Sequence, residues 1–204
     1  MSRVSQAQAQ ENRARTVAAA SHLLRERGVD ALSIADLMKS VGMTTGGFYK
    51  QFASKEALVS EATDHAFGDL ATLLTGFDEQ HDDRAGAREA VIDFYLSTEH
   101  RDHPGVGCPA AGLAGDMARE AGRGEAHVPY TNGLEQFAQW LSGSDRAEGD
   151  EQGGRAESDG LATMATLVGA VLLARAAVGT DLSEAILKAA RQALDPEKGT
   201  ASAR

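Results

Sequence analysis

Apolar positions along this chain recur three and four residues apart over long stretches, the spacing of helices that each bury one face. Val17, Ala20 and Leu24 mark the first stretch and predict a helix from Asn12 to Arg27, stopped by Gly28. Ile34, Leu37, Met38 and Val41 mark a second, capped by Ser33 and closed by Gly42. A third, short helix from Thr44 to Phe52 takes Thr44 as its N-cap and turns Phe48 and Phe52 inward together. Ser54 then opens a long segment, "SKEALVSEATDHAFGDLATLL", that links this N-terminal unit to the rest.

Further on, a helix is expected over Ala85–His100, a break at "RDHPGVGCP", and helix again through "AAGLAGDMAREAG". "YTNGLEQFAQWLSG" places Leu134, Phe137, Ala138 and Leu141 on one face. Residues 142–160 hold no large apolar side chain and read as a disordered acidic loop. Two apolar helices follow, 161–178 and 183–194. The first is apolar nearly all round, so it must be covered on two sides, and a second copy of the chain packed as a helix bundle supplies the second cover. No strand-length alternation occurs, and the expected fold is all-α. Its domains are a flexible arm (1–11), a helix-turn-helix domain (12–60), a helical regulatory and dimerisation domain (61–195) and a flexible tail (196–204).

At 204 residues, 42% hydrophobic and 25% charged, the chain can bury a core without disulfides or metals. Its single cysteine, Cys108, excludes an internal disulfide and fits a reducing cytoplasm. The N-terminus lacks the apolar core of a signal peptide, and Arg175 interrupts the longest apolar run, so no membrane span is expected. The net charge of −10 argues against a nucleic-acid partner until its distribution is considered. Residues 1–60 hold eight basic against five acidic side chains, a net +3 that leaves −13 for the remainder. The basic part is the one suited to a polyanion.

Two short helices joined by a glycine-containing turn form a helix-turn-helix, whose second helix enters the DNA major groove by its N-terminal end. Here that second helix carries adjacent glycines, Gly46 and Gly47, each costing about 1 kcal/mol relative to alanine in a helix interior. Bare backbone at that point lets the helix approach DNA closely. Tyr49, Lys50 and Lys55 suit phosphates, with the hydroxyls of Ser33 and Thr44, while Thr45 and Gln51 suit base edges.

The stretch "SIADLMKSVGMTTGGFYKQFASKEAL", Ser33 to Leu58, resembles the DNA-binding domain of the tetracycline-repressor (TetR) family of bacterial transcription regulators. The preceding "RTVAAASHLLRERGVDALS" is similar to that family's first helix, so the close likeness covers roughly residues 12–60. "HPGVGCPAAGLAGDMAR" and "LVGAVLLARA…LSEAILKAARQAL" look like one subgroup of its variable C-terminal domain. The resemblance implies a cytoplasmic, all-helical homodimer, joined through helices 161–178 and 183–194. It would bind a palindromic double-stranded operator, repress transcription, and let go when a small-molecule effector enters. The DNA-facing positions it implies are Ser33, Thr44, Thr45, Gly46, Tyr49, Gln51 and Lys55. Thr45 stands where a basic side chain is common in that family, and Arg3, Arg13 and Arg15 are the basic residues expected to compensate.

Other constellations are weaker. Cys108 falls at a helix start, where the dipole favours a thiolate, and an electrophile- or redox-sensing regulator is one alternative. A helical small-molecule-binding protein without DNA affinity is another. His100, His103 and Cys108 have no recognised zinc spacing, and no metal or other cofactor is expected. Neither a nucleophile elbow nor an oxyanion arrangement is legible, so no catalytic residue is assigned and enzymatic activity is not expected. Phe67, Phe94, Tyr95, Cys108, Met117, Phe137 and Trp140 are the candidate lining of an apolar effector pocket, with Arg175 for an anionic group.

Overall fold

The computed structural model describes residues 6–120, 124–143 and 151–194, with 151–155 as backbone only. Every regular element among the described residues is helical. The helices are α1 (Gln6–Arg27), α2 (Ile34–Ser40), α3 (Thr45–Phe48), α4 (Lys55–Gln80), α5 (Arg84–Tyr95) and α6 (Thr98–Asp102). A 3-10 turn at Pro104–Val106 leads to α7 (Pro109–Glu120), α8 (His127–Ser142), α9 (Glu151–Ala176) and α10 (Asp181–Ala193).

Packing divides the chain into two compact units: one combines the chain up to Leu70 with Gly105–Gly133, the other Ala71–Pro104 with Leu134 onward. The first unit therefore extends past the boundary expected at residue 60 and takes in α7. The reason lies at the end of α1. Arg25 is buried, and its guanidinium donates to the Gly107 carbonyl (3.3 Å) and pairs with Asp69 (3.1 Å). The Val29 N–H donates to the Asp116 carboxylate of α7 at 3.1 Å. Leu24, Leu37, Met38, Phe48 and Leu58 form the solvent-free centre of this unit.

The second unit is centred on Ile92, Phe137, Leu141, Leu167 and Val171. Arg175 donates to the carbonyls of His100 and Arg101, both at 3.0 Å, and so satisfies the last carbonyls of α6, an arrangement that the positive charge and the helix dipole both favour. On α9, Leu167, Val171 and Ala174 are buried while Leu161, Leu172 and Leu173 are exposed, so one apolar face is covered and another is not. By length and composition alone, Ala156–Ala176 would suffice to cross a bilayer, although a third of its most apolar window is buried in the protein.

Four expectations need correction. Residues 6–11 of the supposed arm are the first turns of α1, rich in the helix formers Gln and Ala, with Gln8 donating to Glu11 at 3.2 Å. The expected 85–100 helix breaks at Leu96–Ser97, where Ser97 takes extended backbone and caps α6 by accepting the His100 N–H at 3.1 Å. Residues 151–160 of the supposed acidic loop are helical, and only 144–150 of that segment lie outside the described residues. At its end close packing requires glycine, because a Cβ on Gly160 would stand 2.3 Å from the Ala138 carbonyl oxygen. The third helix is a single turn, Thr45–Phe48, continued by turns to Gln51 rather than by helix to Phe52. Arg3 and the tail 196–204 lie outside the described residues.

Candidate nucleic-acid interface

The site is built from α2, a tight turn and α3. Ser33 begins α2 as expected, its hydroxyl accepting the Asp36 N–H at 3.3 Å. Gly42 then supplies the left-handed backbone, φ +74°, that reverses the chain without strain. Thr44 is extended and precedes α3, but its hydroxyl makes no capping bond to the helix, so it stays available outward. Phe48 is fully buried beneath α3, stacked on Phe52 at 5.3 Å and edge-on to Tyr49 at 5.1 Å.

Above this aromatic base, Thr44, Thr45, Gly46, Tyr49 and Lys50 are exposed, Tyr49 to 67%, with Ser33 exposed nearby in sequence and Lys55 half-buried at the start of α4. Neither Gly46 nor Gly47 has positive φ. A Cβ on Gly46 would meet nothing within 4 Å, and one on Gly47 would make ordinary contact with Met38 and Thr44 at 3.7 Å. The fold itself therefore does not demand glycine at either position.

Gln51 differs from the expectation of base contact. Its amide turns inward, Nε2 donating to the Gly47 carbonyl at 3.3 Å and facing the Met43 sulfur at 3.7 Å. Arg13 and Arg15 are likewise committed. Arg13 donates to the Gln51 carbonyl, pairs with Glu61 and lies 4.4 Å over the Phe52 ring, while Arg15 donates to the Val41 carbonyl at 2.5 Å. Their role was not legible in the sequence, because the partners lie 38, 48 and 26 residues away.

The residues expected to hold an effector are divided between the two units. Phe67, Cys108 and Met117 are buried in the first unit, and Phe94, Tyr95, Phe137, Trp140 and Arg175 belong to the second. Tyr95 stacks with Phe137 at 6.0 Å and lies tilted against the His100 ring at 4.4 Å, and Phe94 lies 5.5 Å from that ring. Trp140 stands apart, hydrogen-bonded to Asp78 and covered by Arg84. Burial pushes the His100 imidazole down to about 4, a fall opposed by its bond to the Tyr95 carbonyl and assisted by the Arg175 charge. His103 is exposed, and its Nδ1 lies 2.9 Å from the Glu99 carbonyl.

Residues 17–62 match the family of bacterial regulatory proteins of the tetR type. An uncharacterized HTH-type transcriptional regulator of Mycobacterium tuberculosis is 30% identical over 171 residues, 80% of this chain and 84% of the relative. The chain belongs to the TetR family. TetR-family regulators from Agrobacterium tumefaciens (TM-score 0.71, 20% identity, 91% of this chain and 98% of that one) and Chloroflexus aurantiacus (0.70, 25%, 93% and 94%) share its architecture. It is a transcriptional regulator with a helix-turn-helix DNA-binding domain, and proteins of this family are generally not enzymes.

Proposed function

We propose that this TetR-family protein acts in the cytoplasm as a homodimeric repressor on a two-fold symmetric operator, each protomer placing α3 in the major groove. Half-sites would lie about 34–36 Å apart, one helical turn, or a multiple of that. Ser33, Thr44, Tyr49, Lys50 and Lys55 contact phosphates, and Thr45 reads base edges. The observation that carries this reading is the pair Gly46 and Gly47: two costly glycines in a turn whose own packing leaves room for alanine. Their bareness serves a surface outside the chain.

Dimerisation is supported by the uncovered apolar side chains of α9 and its flank, Leu161, Leu172, Leu173 and Val178, continued by Leu182 on α10. A second copy presenting the same faces would bury them in a helix bundle. A small molecule bound away from α3 regulates the dimer by favouring a state in which the two reading helices are wrongly spaced. A coupling of about 1–3 kcal/mol suffices for a 5- to 150-fold change in operator affinity.

The test is selection of duplexes from a random-sequence library by the purified protein, followed by titration of the enriched sequence at several salt concentrations. An enriched palindrome, bound with a steep inverse dependence on salt, is expected. Enrichment of no sequence overturns the reading.

A further inference from the structure

We infer that Arg13 and Arg15 are positioning residues that fix the reading helix at both of its flanks without themselves touching DNA. This rests on the DNA-reading role of α3 and deepens it. Val41 ends α2 just before the turn into α3, and Gln51 ends the turns that follow α3. The two carbonyls bracket the whole reading segment, and each accepts from a guanidinium of α1. Val41 N–H closes α2 onto the Leu37 carbonyl, but its own carbonyl points past the last turn, where a cation is favoured by the helix dipole.

Arg13 reaches further. Its guanidinium faces the Phe52 ring at 4.4 Å and pairs with Glu61, so the exit of α3, the aromatic base beneath it and α4 share one side chain. Arg13, half-buried, has its donors directed to a carbonyl and a carboxylate inside the unit. Without these two arginines α3 would keep its aromatic base, Phe48 and Phe52, and the local Gln51–Gly47 bond, but lose the bonds from α1 that set its tilt against that helix. Base readout tolerates little tilt, because hydrogen bonds to base edges are lost over small displacements.

A phosphate-binding arginine and a positioning arginine give opposite signatures. The probe is the duplex enriched by the wild-type protein, compared with a random-sequence duplex of equal length, across a salt series. Arg15→Ala is expected to weaken binding to the enriched duplex about tenfold, roughly what one misread base pair costs, and to weaken binding to the random duplex far less, by the loss of one charge alone. The slope of log affinity against log salt should stay unchanged, whereas loss of a phosphate contact lowers it by about 0.9.

Glu61→Gln supplies a test by sign, and it carries the question if Arg15→Ala fails to fold by circular dichroism. Removing a negative charge from a DNA-binding unit strengthens binding if only long-range electrostatics matter. Loosening Arg13 should instead weaken binding to the enriched duplex. Equal weakening on both duplexes with a reduced slope, full affinity in Arg15→Ala, or tighter binding by Glu61→Gln each overturns the inference while leaving the regulator reading intact. A wild-type protein that enriches nothing overturns both.

Discussion

Phe48 and Phe52 stack beneath α3 with ring centroids 5.3 Å apart and 29° between their planes. Phe48 is solvent-free and Phe52 nearly so. Because α3 is one turn long, its own hydrogen bonds cannot hold it, and this pair supplies most of its attachment. Phe48→Ala should therefore cost about 3–5 kcal/mol of unit stability, read as a lower urea midpoint by circular dichroism, and abolish operator binding. A variant of normal stability would show that α3 is held by something else.

Gly46 gives the opposite combination. Its Cβ position is open and its φ is not positive, so Gly46→Ala should leave stability unchanged or raise it by up to about 1 kcal/mol. If a duplex lies against that backbone, the added methyl group lowers operator affinity sharply. Denaturation and DNA titration of the same preparation separate the two effects, and unchanged affinity would remove the close-approach argument.

The exposed apolar residues of α9 and α10 bear on assembly. Leu173 is 61% exposed and Leu182 60% exposed. Leu173→Glu with Leu182→Glu should convert a dimer to a monomer in sedimentation equilibrium without lowering helix content, since neither side chain belongs to the protomer's core. Operator affinity should fall with it, because a monomer engages only one half-site.

His100 makes stability depend on pH. Its folded value near 4 lies below the ordinary value of 6.5, so the unfolded chain binds the proton more readily. The stabilising contribution of the neutral ring is therefore complete above about pH 6.5 and is lost as pH falls toward 4. The shift corresponds to roughly 3 kcal/mol at 1.36 kcal/mol per unit. Urea midpoints measured from pH 7.5 to 4.5 should decline less steeply for His100→Phe than for the unaltered protein. Parallel curves would assign the acid sensitivity to other groups.

Much of the fold was legible because local rules govern it. Ser33 and Ser54 cap α2 and α4 through bonds to residues three positions on, and Leu37, Met38 and Phe48 bury where their spacing places them. The sequence also marked Gly46 and Gly47, whose cost is a local property. What escaped it depends on distant partners. The inward turn of Gln51 depends on Gly47 and Met43, which only the folded turn brings within reach. Arg13 and Arg15 read as spare cations until the carbonyls they serve are folded beside them. The helical stretch 151–160 looked disordered because it holds no large apolar residue to mark a buried face.

Trp140 is the chain's single tryptophan. Its indole N–H donates to Asp78 at 2.9 Å while the Arg84 guanidinium lies 4.4 Å over its ring, all three within the second unit. Indole emission from this protein is thus a built-in optical probe of the second unit. A small molecule that alters the colour or brightness of that signal changes the surroundings of Trp140, and screening for one requires no dye, label or DNA.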